Sequence, residues 1–317
     1  MALRRLVFHP APRHRDLRLD QFLARALVAT EEAVSRRRVR RLIAAGAVYV
    51  DGRRTHIASR RLKAGARVEV YLEAGERGDS RGSPELDVGG LVLFEDAHLI
   101  AVDKPAGVAA QATVDDDVHH LFAAVRRHLA AREGVARPYL ALHHRLDRGT
   151  SGVMLLAKSR EVNAGLAAAF RERRVGKLYL ALATVGDSPP ADEWTVRDRL
   201  VLRRQGPRGV RRAVSVAAGG RPAETRFRVR ERLAGAVLVE AVPKTGRTHQ
   251  VRVHLADSGV AVVGDRHYGP SPPPIRAPRL MLHAAVLELE HPLRGETVRI
   301  ESPLPADFER LLESLRA

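Results

Sequence analysis

His143-His144-Arg145-Leu146-Asp147-Arg148-Gly149-Thr150-Ser151-Gly152-Val153-Met154-Leu155-Leu156-Ala157-Lys158 is the stretch on which the reading of this chain turns. It sets one acid, Asp147, among two histidines and two arginines. A glycine turn at Gly149 and Gly152 follows, then an apolar run from Val153 to Ala157 that suits a buried strand. A lone carboxylate in such company is expected to be ionised, because nearby cations favour its charged form. That prepares it to act as a nucleophile or to hold a cationic partner, not to donate a proton. An ion pair at a strand entrance is the plainer alternative on these residues alone.

Outward from that stretch, the chain has 317 residues. That exceeds a single unit of ~100 to 150 residues, so two domains are expected. Lys+Arg 54 against Asp+Glu 37 gives a formal net charge of +17, and such an excess points to a polyanionic partner. No run approaches the ~20 apolar residues of a spanning helix, and residues 1–20 lack an apolar signal core. A cytoplasmic protein with no membrane partner is expected. The absence of cysteine removes disulfides, thiolate nucleophiles and cysteine-based zinc sites. Aromatic residues at 4% argue against a surface built on many base-stacking platforms.

Residues 1–16 show no periodicity and read as a loose arm. From Leu19 an apolar stripe of Leu19, Phe22, Leu23, Ala26 and Leu27 marks an amphipathic helix. A second helix runs from Ser35, a plausible N-cap, to Gly46. With Val39, Leu42 and Ile43 facing inward, it turns Arg36, Arg37, Arg38, Arg40 and Arg41 outward. No acid lies one turn away to neutralise them, and phosphate binding is the simplest reason to tolerate the repulsion. Val48 to Val50, the Asp51-Gly52 turn and a later strand at Val68 to Leu72 complete a small basic module over 17–72. Residues 73–90 read as a linker and 91–317 as the second domain.

In that domain, strands are expected at Leu91 to Phe94, Leu99 to Val102, Leu178 to Leu182, Ala236 to Val242 and, as a pair, Leu280 to Ile300. Helices are expected after Asp115-Asp116-Asp117, after Ser159, between the Lys244-Thr245-Gly246-Arg247 loop and Gly259, and near Phe308 to Leu315. Arg197 to Arg212 reads as a flexible basic loop. The fold class is therefore α+β: a helix-helix-strand module, then a strand-rich domain with helices between its strands.

Competing chemistries fit poorly. Gly149-Thr150-Ser151-Gly152 is one residue short of the serine-hydrolase elbow. His249 and His254 are five apart and lack the glutamate of a zinc hydrolase. His143, His144 and Asp147 could ligate a metal only with a distant acid, so no metal is expected. No phosphate-binding loop precedes Lys244-Thr245.

His144-Arg145-Leu146-Asp147-Arg148-Gly149-Thr150-Ser151-Gly152 resembles the signature of the RluA-type pseudouridine synthases, in which the aspartate of His-Arg-Leu-Asp is catalytic. Three further segments resemble that family in the same order. They are Asp103-Lys104-Pro105-Ala106-Gly107, Lys177-Leu178-Tyr179-Leu180-Ala181, and Lys244 to His254 followed by Gly264-Asp265 and Tyr268-Gly269. Residues 17–72 resemble the small RNA-binding module of a ribosomal protein that precedes many such enzymes. The resemblance implies a mixed, largely antiparallel sheet with flanking helices, and an RNA pseudouridine synthase that isomerises uridines of rRNA or tRNA without a cofactor and acts as a monomer. It assigns catalysis to Asp147, Tyr179 to packing against uracil, and Arg247 to pairing with Asp147. It further assigns Arg145, Lys104 and the module's arginines to RNA binding. The alternative is a non-catalytic RNA-binding or ribosome-assembly factor on the same fold.

Overall fold

The computed structural model describes residues 3–27, 39–40, 42–43, 46–73, 86–112, 120–186, 190–205 and 210–316, and the chain divides into two units near residue 84. In the N-terminal unit the apolar stripe folds as the helix Leu19–Ala26, burying Leu19, Phe22 and Leu23. It packs with Val39, Ile43, Val48 and Val70 into one small core. Strands β1 (Leu3–Phe8), β2 (Val48–Val50), β3 (Arg53–Arg54) and β4 (Val68–Glu73) form an antiparallel sheet in the order β1-β4-β2-β3. Asp51 and Gly52, at φ 54° and 76°, make the tight turn between β2 and β3.

The loose arm expected over 1–16 is corrected by β1. Leu6 and Phe8 pack against the small core while Arg5 and Val7 face out, and Leu6 pairs with Val70. Three apolar residues were too short a run to stand out beside the neighbouring prolines and arginines. Arg40 is also less free than its sequence context implied. Its Nε donates to Asp20 at 2.7 Å, and Arg18 reaches the same carboxylate at 3.1 Å. The neutralising acid comes from the preceding helix, not from one turn away. Ser35 and Arg36, Arg37, Arg38 and Arg41 lie outside the described residues, as do Asp115, Asp116 and Asp117.

In the second unit, one sheet gathers β5 (Val92–Glu95), β6 (Leu99–Lys104), β7 (Ala141–Leu142), β8 (Ser151–Ala157), β9 (Gly176–Thr184) and β10 (Glu193–Gln205). Also in it are β11 (Val210–Ser215), β12 (Arg221–Leu233), β13 (Ala236–Pro243), β14 (Leu282–Glu290) and β15 (Thr297–Glu301). The order is β11-β10-β12-β13-β9-β14-β8-β6-β5, with β15 on β14 and β7 on β8. Among the described residues, β14 and β8 are the one parallel pair, so the sheet is mixed and largely antiparallel. Helices Leu121–Glu133, Asn163–Arg171, Gln250–Asp257 and Ala306–Arg316 accompany it.

The seven residues of β8 are all buried, as its unbroken apolar run requires. Where β8 meets β14 the two backbones nearly touch. Gly152 sits at φ 112°, and a Cβ there would lie 2.2 Å from the Ala284 carbonyl oxygen. Two expectations are corrected in this unit. Ser159 does not cap a helix: its Oγ lies 3.0 Å from His98 Nδ1, and the helix starts at Asn163. Arg197 to Arg212 is no loop over its described part but the β10–β11 hairpin, with Leu200 and Ala213 buried against Ala223 and Val253.

Candidate active site

The loop that carries Asp147 joins β7 to β8 and is tied at several points. His143 Nε2 lies 2.9 Å from Asn163 Oδ1. His144 Nε2 accepts the Leu155 amide at 2.9 Å, and its ring stacks on Phe170 at 4.7 Å. Burial, with a smaller push from Lys177, holds the His144 imidazole down to about 3, so it is neutral and its other nitrogen carries the proton. The two histidines thus each spend Nε2 on a protein partner and hold the loop. Leu146 is buried in the core below, and the Thr150 amide closes a turn on the Asp147 carbonyl at 3.1 Å. Asp147 is left at the tip.

Its carboxylate is held from one side. Arg252 Nη1 donates to Asp147 Oδ2 at 3.0 Å, and His249 Nε2 stands 3.8 Å from the same oxygen. Among the described residues no protein group bonds Oδ1. Arg252 is 6% exposed and forks onto Asp265, Nε to Oδ2 at 2.6 Å and Nη2 to Oδ1 at 2.8 Å. Burial disfavours charge on Arg252, but its bonds to Asp265 and Asp147 outweigh that and raise its pKa. Burial likewise opposes the Asp265 charge, and Arg252 with the His267 and Tyr268 amides overcomes it. Tyr268 packs its ring under Arg252 at 5.1 Å; its hydroxyl accepts the Ala213 amide at 2.9 Å and meets His249 Nδ1 at 2.8 Å.

The loop opposite is fixed by Gln250, which is 3% exposed. Its Oε1 accepts from the Thr245 hydroxyl at 2.6 Å and the Arg247 amide at 3.0 Å. Its Nε2 donates to the Glu224 carbonyl and to Thr225 Oγ1, both at 2.9 Å. Between the two loops lies a cavity of about 440 Å³, lined by Asp147, Arg145, Tyr179, Lys177, Arg247 and Arg252 among others. That volume suits a small molecule or one extruded nucleoside.

Tyr179, on central strand β9, faces this cavity as its place in the alternation predicts. Burial raises its hydroxyl pKa and the Asp147 charge adds to the effect, so the ring is a neutral wall. Arg145 is exposed at the rim and meets no carboxylate among the described residues.

Two assignments are corrected. Arg247 lines the cavity but does not pair with Asp147; its Nε donates to the Pro222 carbonyl at 3.1 Å. The partner is Arg252, which the helix beginning at Gln250 turns back toward the aspartate. Lys104 cannot bind RNA where it stands. It is fully buried, and Nζ donates to the Pro105 and Val108 carbonyls at 2.8 Å and to Arg148 at 3.3 Å. It fastens the aspartate loop from beneath. Arg252, Asp265, His249 and Tyr268 were within the motifs but were not singled out. The signal for Arg252 was an arginine between two valines, a charge at the buried positions of a helix.

A family model described as RNA pseudouridylate synthase matches residues 98–257, and one described as S4 domain matches residues 17–68. The chain is 35% identical over 314 residues to the ribosomal large subunit pseudouridine synthase C of Escherichia coli strain K12, covering 94% of this chain and 93% of the relative. It is 34% identical over 310 residues to the protein of that name in Vibrio vulnificus, with the same coverage. Among solved structures it is similar to human RNA pseudouridylate synthase domain containing 4, with a TM-score of 0.58 and 26% identity. That likeness covers 72% of this chain and 94% of the human one.

Proposed function

This chain belongs to the RNA pseudouridylate synthase family, and from that premise we propose that it isomerises uridines of large-subunit ribosomal RNA with Asp147 as the catalytic group. The S4-type module and the basic surface bind RNA, residues 73–90 link module to enzyme, and the protein works in the cytoplasm as a monomer. A uridine stacked in RNA cannot expose its glycosidic bond, so the nucleotide is extruded into the cavity beside Tyr179. Arg145 at the rim helps to reorganise the RNA around the vacated space.

The reaction is an isomerisation and needs no added atoms. The bond from ribose C1′ to uracil N1 breaks, the ring turns, and C1′ bonds to C5, which gives up its proton as N1 gains one. The observation that carries the reading is the asymmetry of the Asp147 carboxylate: Oδ2 is held by Arg252 while Oδ1 has no protein partner among the described residues. A carboxylate held by one oxygen is pre-oriented for the other to act on the ribose. His249 adds a second group on the held side.

The test is Asp147→Asn in single-turnover pseudouridine formation, enzyme in excess over transcribed large-subunit ribosomal RNA, beside a melting curve. Asparagine keeps size and shape and removes the charge. Isomerisation is expected to disappear while RNA affinity stays within a few-fold, because phosphate contacts dominate binding. A folded variant that converts uridine near the wild-type rate overturns the assignment.

A further inference from the structure

We propose that Arg173, Arg221 and Arg247 form a clamp for one backbone phosphate of the RNA at the rim of the cavity. The proposal deepens the RNA-modifying function above and rests on it. Several arginines of β12 are neutralised where they stand. Arg226 meets Glu193 at 2.9 Å, Arg230 meets Glu240 at 3.0 Å and Arg232 meets Asp192 at 2.7 Å. Along the edge of the cavity the pattern changes. Arg173, Arg221 and Arg247 meet no carboxylate among the described residues, and Arg173 and Arg247 line the cavity itself.

The cations are close enough to repel. Burial lowers the pKa of Arg247, and the charges of Arg221 and Arg173 lower it further. Three guanidinium groups gathered without an acid are a standing cost that a bound anion would relieve. Their orientation is fixed in part: Arg247 spends Nε on the Pro222 carbonyl, which leaves its two terminal nitrogens for a bidentate contact. Pro222 follows Arg221 directly, so the bond also draws β12 toward the Arg247 loop.

Arg173 adds an independent sign. It follows the helix Asn163–Arg171 with φ 63°, a left-handed conformation that non-glycine residues adopt at a cost of about 1 kcal/mol. The Arg174 amide donates to the Ala169 carbonyl at 2.9 Å, the kind of helix ending in which glycine is the favoured residue. The chain puts an arginine there, and its side chain makes no hydrogen bond or ion pair among the described residues. A backbone held in strain to present an unpaired cation beside a cavity is the pattern expected of a ligand clamp. The phosphate class follows from the setting. An extruded nucleotide must carry its two flanking phosphodiesters past this rim, and guanidinium groups match their oxygens in pairs.

The experiment measures RNA binding by the full-length protein as a function of salt, with transcribed large-subunit ribosomal RNA as the probe. Arg173→Gly is expected to weaken binding several-fold while the melting temperature stays level or rises, because glycine relieves the left-handed strain. Combining it with Arg247→Gln is expected to lower the log-log salt slope by only ~0.7 to 0.9, the loss of one shared phosphate. Unchanged affinity and slope in the double variant would overturn the clamp. A slope loss of about twice that size would also overturn it, since the arginines would then hold separate phosphates. Binding needs no turnover, so either result is independent of whether Asp147 is the catalytic group.

Discussion

Arg252 reaches Asp147 across 105 residues of chain, Nη1 to Oδ2 at 3.0 Å, while its other two nitrogens are committed to Asp265. The aspartate proposed for catalysis is thus one end of a carboxylate-guanidinium-carboxylate chain, of which the far end is buried. Arg252→Gln should leave Asp265 buried without its cation, a loss of ~3 to 5 kcal/mol that a melting curve would read. Arg252→Lys keeps the charge but not the fork, so it cannot serve both acids. It should recover part of the stability and little of the single-turnover rate. A lysine variant equal to wild type in both measurements would remove Arg252 from the account.

The pairing of Asp147 also shows what the sequence could and could not yield. Local patterns were legible: the stripe of Leu19, Phe22 and Leu23, the buried run of β8, and the Asp51-Gly52 turn each follow from spacing and residue type. The Asp147 loop, Tyr179 and the Arg247 loop were all recognisable as segments that belong together, and all three line one cavity. Which arginine meets the acid was not legible. Arg247 and Arg252 are five residues apart, and the choice depends on the helix starting at Gln250, a start fixed by Gln250's bonds to Glu224 and Thr225 on another strand. The burial of Lys104 was hidden for the same reason. Its three carbonyl acceptors belong to turns whose path no local pattern encodes.

His144 makes the aspartate loop sensitive to acid. Its folded pKa lies at about 3 against 6.5 for an unburied imidazole, because burial opposes its charge. Below pH 6.5 the unfolded chain takes up a proton that the folded loop refuses. This contribution to stability is complete above that pH and is lost progressively as pH falls toward about 3. His144→Gln offers the Leu155 amide a neutral acceptor that does not titrate. Melting temperatures across this acid range should fall less steeply for the glutamine variant, and equal slopes would show that His144 does not govern the loss.

Gly152 tests the contact that fixes β8 against β14. Alanine there would place its methyl 2.2 Å from the Ala284 carbonyl oxygen, at φ 112°. Either the parallel strands separate or the turn after Asp147 rebuilds, and the protein should be mostly insoluble or melt far below wild type. Gly52 is the control, because at φ 76° a Cβ would meet nothing within 4 Å. Its alanine variant should lose only the ~1 to 2 kcal/mol of left-handed strain. Comparable losses at both sites would mean that conformation, not strand approach, makes Gly152 necessary.

Tyr179 separates the aromatic surface from the hydroxyl. Its ring is part of the cavity wall opposite the Arg247 loop, and its hydroxyl has no hydrogen-bond partner among the described residues. Burial and the Asp147 charge raise its pKa, so the phenol stays protonated and cannot serve as a base near neutral pH. Tyr179→Phe keeps the stacking surface and removes a group that nothing in the protein uses, so single-turnover conversion should fall only slightly. Tyr179→Leu removes the platform, worth ~1 to 3 kcal/mol per stacked base, and fills the space with a side chain that cannot stack. Conversion by the leucine variant should therefore drop well below that of the phenylalanine variant, with each protein folded by its melting curve. The reverse ranking would move the role from the ring to the hydroxyl, as a donor to the uracil or to the Asp147 carboxylate. Wild-type turnover in both would leave Tyr179 a packing residue and take the base-stacking wall out of the proposed site.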